Sequence, residues 1–479
     1  MNTIQRITKN VGVLFISQMF SYVFGFFTLA YSARYLGVDG FGTLSLAIAF
    51  TGIFSVVMDL GLNTLTIREV ARDKSLQKEF VSNITLIKIL LSIITFILIF
   101  VIANIIGYNQ EILNVIYLIA IYTIFSTFSL LFYAIFQANE QMEYRSLGVI
   151  LASFLLLSGV LLAIHYKFDI IQFSYIYAIV GILTLAYSIF IFVWKFSLPK
   201  PHFNKTLWFN LIKESWPFAV TGISLTIYKW IDTLILSSIQ GTDAVGLYSA
   251  SFNLISVLLF IPIVFNHALF PLMSRYYNSS KELLNITFGK LLKIMLLIAL
   301  PLGVGTVLIA NKVIVFIYGD AFIGSIIALQ ILIWSTVLIF ARSPFERLLE
   351  SSNRQLVLTK IFIISVIFNI FFNLILIPKY SYIGASIVNV STDLLVLCII
   401  MFITRGIKVI YIPKNLKNNL FKIISSSLIM GVILYYLKEL NLFLLIIVGI
   451  IIYIITLFLF KTFDKDEILM LKSILDRKN

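Results

Sequence analysis

Charge is scarce in this sequence. Asp, Glu, Lys and Arg make up 12% of its 479 residues, about half the roughly 25% of a soluble domain. Cysteine occurs once, at Cys398, which excludes an internal disulfide framework. Cys398 lies in an apolar run and reads as a small inert hydrophobe. The three histidines, His165, His202 and His267, are too far apart in sequence to suggest a metal cluster. No Gly-rich phosphate loop ending in Lys-Ser/Thr occurs, nor a His-Glu-x-x-His pair, so the known motifs argue against an enzyme. The N-terminus carries Arg6 and Lys9 before a long apolar run with no small-residue cleavage site, so the first segment reads as a retained helix and not a secretory signal.

Apolar residues fill the space that charge leaves. They make up 60% of the chain, and the mean hydropathy is +1.02. The apolar runs do not alternate, which excludes a membrane β-barrel. A bilayer core needs roughly 20 apolar residues per helix. Spans are expected at 11–33, 41–62, 81–106, 112–136, 146–166, 170–194, 215–238, 244–270, 283–309, 324–345, 355–377, 381–404, 421–437 and 442–460. The fold class is therefore all-α, a polytopic membrane protein of about 14 transmembrane helices. The net charge of +14 does not indicate nucleic acid, because the cations sit in short loops. With a cytoplasmic N-terminus, Lys and Arg crowd the inside segments and only 5 fall in the outer loops, which predicts that both termini are cytoplasmic. Every outer loop is short, which disfavours a glycan polymerase or ligase.

Two turns repeat. Gly37-Val-Asp-Gly-Phe-Gly42-Thr-Leu-Ser45 and Gly241-Thr-Asp-Ala-Val-Gly246-Leu-Tyr-Ser249 share Gly, Asp, Gly and Ser at equal spacing, 204 residues apart. The first joins spans one and two, the second spans seven and eight. Six spans separate the copies, so they share one orientation, as in transporters built of parallel repeats. Residues 1–194 read as an N-lobe, 195–214 as a basic cytoplasmic linker and 215–404 as a C-lobe. Residues 405–479 then add two helices and a tail, the latter either a short amphipathic helix or a solvated segment.

Ionisable groups within spans cost about 2.5–3.5 kcal/mol each at the centre, so each needs a reason. Lys88, Lys290 and Lys293 start near the cytoplasmic end, where long stems can snorkel to the headgroups or face a cavity. Arg34 sits at the outer end of span one, at the interface or a cavity mouth. Lys229 is too deep for full snorkelling, and Asp232 lies on the same helix face. They form either a self-neutralising ion pair or a substrate cation beside an ion-binding carboxylate. Asp393 is mid-span, continuing a stripe with Ser386 and Asn389, and span eleven offers Asn369 and Asn373 one turn apart. These oxygens suit a monovalent cation or a proton, or else interhelical hydrogen bonding. Gln18, Ser21, Gly25, Thr28 and Ser32 share one face of span one, lining a wet cavity or a close-packed seam. Arg68 and Arg72 lie at the cytoplasmic surface, placed to meet an anionic diphosphate or simply following the positive-inside bias.

Three segments carry a family likeness. Ala33-Arg-Tyr-Leu-Gly-Val-Asp-Gly-Phe-Gly-Thr-Leu-Ser-Leu-Ala47, then Asp59-Leu-Gly-Leu62 and Arg68-Glu-Val-Ala-Arg72, resemble the N-terminal signature of polysaccharide-biosynthesis flippases. These are the O-antigen-type (Wzx) oligosaccharide flippases of the multidrug/oligosaccharidyl-lipid/polysaccharide exporter superfamily. Tyr228-Lys-Trp-Ile-Asp-Thr-Leu-Ile-Leu236 and Val245-Gly-Leu-Tyr-Ser-Ala250 resemble that family's seventh and eighth helices. The resemblance implies a V-shaped, two-lobed transporter that moves polyprenyl-diphosphate-linked oligosaccharide to the outer leaflet of the cytoplasmic membrane by alternating access, driven by a cation gradient or the membrane potential. It implies no cofactor beyond Na+ or H+ as coupling ion. Membrane lipids, a polysaccharide polymerase and chain-length proteins are its implied partners. Lys229, Arg34, Lys88, Arg68 and Gln18 become candidates for the substrate. Related lipid II flippases hold sodium between helices seven, eleven and twelve, which makes Asp232, Asn369, Asn373, Asn389 and Asp393 candidates for coupling. Those flippases also carry arginines in their first helix, and span one here has none before Arg34, which argues against lipid II itself. A multidrug exporter of the same superfamily is the alternative, and it would not need a cation at Lys229.

Overall fold

The computed structural model describes residues 3–196, 204–406 and 416–463. Among them are thirteen α-helices, two 3-10 turns and no strand. The helices are α1 (Thr3–Asp59), α2 (Leu62–Arg72), α3 (Gln77–Ile106), α4 (Gln110–Ala138), α5 (Met142–His165), α6 (Ile170–Phe196) and α7 (Lys205–Leu258). They continue as α8 (Phe260–Ser279), α9 (Lys281–Tyr318), α10 (Ser325–Ser351), α11 (Gln355–Gly406), α12 (Leu416–Tyr436) and α13 (Leu442–Leu459). Of the sequence-stretch expectations, residues 197–203 of the linker and 464–479 of the tail lie outside the described residues.

Eleven stretches are long and apolar enough to cross a bilayer, which makes this a multi-pass membrane protein. Three of them run 48, 61 and 52 residues, over twice the roughly 20 of one crossing. Each breaks at one residue with non-helical backbone: Gly37 in α1, Gly241 in α7 and Ser381 in α11. The expected span pairs one/two, seven/eight and eleven/twelve meet at these breaks. Large apolar side chains such as Ile105, Phe190 and Phe402 are 67–80% exposed, which suits a surface solvated by lipid tails and not by water. Inside, hydroxyls are satisfied locally: Thr28, Ser32, Thr51 and Thr127 each donate to the carbonyl four residues earlier. That arrangement removes the cost of a bare hydroxyl in an apolar interior.

The chain divides into two compact units. The first holds Met1–Ala250 and Asn369–Ala385, the second Ser251–Phe368 and Ser386–Asn479. The first unit is packed around Phe50, Ile116 and Phe173, with another core around Ile84, Phe136 and Phe192. The second is packed around Phe288, Met295 and Phe340, and α12 and α13 add a core with α9 around Met430 and Tyr453.

The repeated turns adopt the same backbone and pack on each other within the first unit. Gly37 has φ 70 and ψ −172, and Gly241 has φ 82 and ψ −175, a region essentially reserved for glycine. The second glycine of each repeat explains itself differently. A Cβ at Gly42 would lie 1.9 Å from the Thr242 carbonyl oxygen, and one at Gly246 would lie 2.1 Å from the Val38 carbonyl oxygen. Val38 and Thr242 occupy the same repeat position, so the contact is reciprocal, and the Thr242 hydroxyl also donates to Asp39.

Candidate functional site

The repeat ends α7's first half, and Asp232 sits nine residues before Gly241 on that half. Its carboxylate is buried. The Tyr248 hydroxyl donates to Oδ2 at 2.9 Å and Asn373 Nδ2 to Oδ1 at 2.6 Å. Asn373 Nδ2 also donates to Asn369 Oδ1 at 2.8 Å. Asn369 and Asn373 lie one turn apart on α11, so the helix presents both to the same carboxylate. Both are buried, and Asn373 Oδ1 has no hydrogen-bond partner. A buried orphan oxygen is costly. In this arrangement the Asn373 amide nitrogen faces Asp232 and Asn369, and turning that amide end for end would present oxygens from all three side chains, the ligands that hard cations take. Asp232, Asn369 and Asn373 therefore come together as the sequence led one to expect, while the Lys229–Asp232 ion pair does not form.

Asp393 has a different environment, in the second unit. Arg342 Nη1 of α10 lies 3.0 Å from its Oδ1, and the Ser335 hydroxyl donates to Oδ2. Arg342 is itself buried, and its Nε lies 3.1 Å from Glu346 Oε1. Arg347 and Glu350 form a further ion pair. Asn389 and Ser386 are buried on the same helix as Asp393. The sequence reading missed this network. The available signal was Arg342 inside the 324–345 span, with Glu346 at i+4 just past its end.

The two intramembrane lysines also separate. Lys88 does not snorkel. It is fully buried, with Nζ 2.9 Å from Asp59 Oδ1 and 3.2 Å from the Thr127 carbonyl. Asp59 ends α1 and supplies the countercharge, where the sequence had offered headgroups or a cavity. Lys229 is exposed on α7 and makes no ion pair among the described residues. Its ammonium lies 4.4 Å from the Trp230 ring centroid. The indole is seated against Gly52, where a Cβ would lie 3.0 Å from Nε1.

The remaining candidates are scattered. Arg34 and Gln18 are exposed. Arg68 is engaged by Glu69 and by Glu214, the latter at 2.8 Å, and lies over Phe218. Along the polar face of α1, Ser21 meets Ser153 of α5 at 2.7 Å, while a Cβ at Gly25 would meet nothing within 4 Å. Of the other cytoplasmic-end lysines, Lys290 is exposed, and Lys293 is buried with Nζ 6.0 Å from the Phe463 ring centroid.

Known proteins share both sequence and fold with this chain. A polysaccharide biosynthesis protein family model matches residues 7–277, and a MatE model matches residues 217–375. A Haloferax volcanii protein described as a probable low-salt glycan biosynthesis flippase is 23% identical, covering 78% of each chain. A Shigella dysenteriae protein named for O-antigen transport is 23% identical over 84% of this chain and 100% of that one. An uncharacterised membrane protein of Methanocaldococcus jannaschii is 26% identical, but the match spans only 39% of its length. The fold is similar to that of a lipid II flippase in an inward closed conformation, with TM-score 0.77 at 19% identity over 93% of this chain and 98% of that one. With its family model matched over more than half its length, the chain belongs to the polysaccharide biosynthesis protein family.

Proposed function

We propose that this protein is a flippase, not an enzyme, that carries polyprenyl-diphosphate-linked oligosaccharide from the cytoplasmic to the outer leaflet for surface polysaccharide biosynthesis. The observation that carries the reading, within a family of this kind, is Lys229. An ammonium in hydrocarbon costs about 2.5–3.5 kcal/mol, so an exposed and unpaired lysine midway along a span belongs to a polar cavity. A diphosphate supplies the missing countercharge, and Trp230 beside it offers an apolar ring face to a sugar. Lys88 is already neutralised by Asp59, so it serves structure in this reading. The lipid tail stays in the bilayer while the polar head crosses.

A monovalent hard cation such as sodium would be held by Asp232, Asn369 and Asn373, satisfying Asn373 Oδ1. When bound it supplies positive charge to a buried carboxylate. Binding favours whichever conformation assembles these three side chains, and that difference in affinity couples the ion gradient to transport. The 204-residue repeat supports two six-helix lobes, residues 1–194 and 215–404, with 405–479 added and both termini cytoplasmic. A polymerase and chain-length proteins would take the product at the outer face.

The test is a strain lacking the gene. Surface polysaccharide should disappear while intact lipid-linked repeat units remain on the cytoplasmic face, and Lys229→Ala should not restore it. The MatE match at 217–375 favours drug export as a second reading. Unchanged surface glycan together with greater sensitivity to toxic cations would select that reading instead.

A further inference from the structure

The network around Arg342 carries one charge too many. It contains two guanidinium groups, Arg342 and Arg347, and three carboxylates, Asp393, Glu346 and Glu350. The guanidinium groups are shared out unevenly. Arg342 Nη1 faces Asp393, which the Ser335 hydroxyl also supports. Arg347 Nη1 faces Glu350. Glu346 has to share Arg342 with Asp393, since the Arg342 Nε lies 3.1 Å from its Oε1. Its Oε1 is buried and accepts no hydrogen bond, because the Arg342 Nε 3.1 Å away is not aligned to donate to it.

On α8, Arg275 lies over Tyr276, and on α9, Lys290 is exposed and Lys293 lies near Phe463. On α11, Lys360 is exposed, and Asp393 is the charged group facing the network. Phe288 and Phe345, which meet edge to face at 5.0 Å, belong with Leu348 and Leu349 to the apolar core around this end of α10. An excess negative charge in such surroundings is expensive and has to be met by a cation.

We propose that Glu346 is a proton-exchange site. Two observations favour a proton over a metal ion. Arg342 stands 3.1 Å from the carboxylate and would repel a metal cation, whereas a proton simply neutralises the carboxyl where it is. The site also lies toward the surface near the end of α10: side-chain exposure rises from 2% at Asp393 and 7% at Arg342 to 17% at Glu346 and 24% at Glu350. Glu346 is five residues from the end of α10, about 7–8 Å along the axis. The step balances: one proton from the adjoining water joins a Glu346 carboxylate oxygen, and the same proton returns when the carboxyl ionises. This site goes beyond the cation proposed for Asp232, and it stands whether or not the substrate is a lipid-linked glycan.

Infrared difference spectroscopy on the purified full-length protein tests it directly. In sodium buffer the wild type should show a protonated-carboxyl band that vanishes as pH rises. The band should be absent in Glu346→Gln and retained in Glu350→Gln and Asp232→Asn. Replacing sodium with choline should leave it unchanged. If Glu346→Gln does not fold, Glu346→Asp should shift the band. A wild-type band surviving in Glu346→Gln, an unshifted band in Glu346→Asp, or a band governed by sodium at fixed pH overturns the proposal. Surface glycan scored in the same variants reports on the flippase reading separately.

Discussion

Asp232 and Asp393 look alike in the sequence and differ in the structure. Each is a buried aspartate in the middle of a long apolar helix, near asparagines and hydroxyls. Asp393 meets a cation that the protein supplies, Arg342 at 3.0 Å. At Asp232, the Tyr248 hydroxyl and the Asn373 amide donate hydrogen bonds. Similar surroundings in the sequence therefore do not fix which partner a buried carboxylate takes. Lys88 and Lys229 repeat the lesson with opposite sign, the first paired with Asp59 and the second with no carboxylate.

Breaking the filled pairs should have the largest effects on stability. Arg342→Met leaves Asp393 buried without its cation and should cost about 3–5 kcal/mol, read as the denaturation midpoint of purified protein. Lys88→Met should cost nearly as much, and adding Asp59→Asn should recover most of it. Lys229→Met is the counterpart. It should change stability by about 0.5 kcal/mol or less while abolishing surface glycan. Equal destabilisation by Lys88→Met and Lys229→Met would erase the distinction between the two lysines.

The glycines give a smaller contrast. Gly42→Ala places a methyl group against the Thr242 carbonyl and should cost about 1–3 kcal/mol. Gly25→Ala meets open space in a helix and should stabilise by about 0.5–1 kcal/mol. Arg34→Ala, at an exposed position, should fall within about 0.5 kcal/mol of wild type in thermal stability.

The helical fold was legible because hydropathy and length are local. The repeat was legible for the same reason, and its glycines turned out to serve both a strained backbone and a reciprocal close approach. The meeting of Asp232 with Asn369 and Asn373 followed from helical spacing and family resemblance. What spacing could not supply was which partner each charge would choose. Arg342 lies 51 residues from Asp393 and Asp59 lies 29 from Lys88, and only tertiary packing sets those distances. The same holds for Glu346, whose sharing of Arg342 with Asp393 only the packing reveals.

The most direct measurement is the melting temperature of the purified protein in sodium against choline, for wild type, Asp232→Asn and Asp393→Asn. A ligand at 100 times its Kd stabilises the folded state by about 2.7 kcal/mol. The account predicts a sodium-dependent rise in wild type and Asp393→Asn and none in Asp232→Asn. A rise that survives in Asp232→Asn and disappears in Asp393→Asn would contradict it, placing the cation with the aspartate that already faces an arginine.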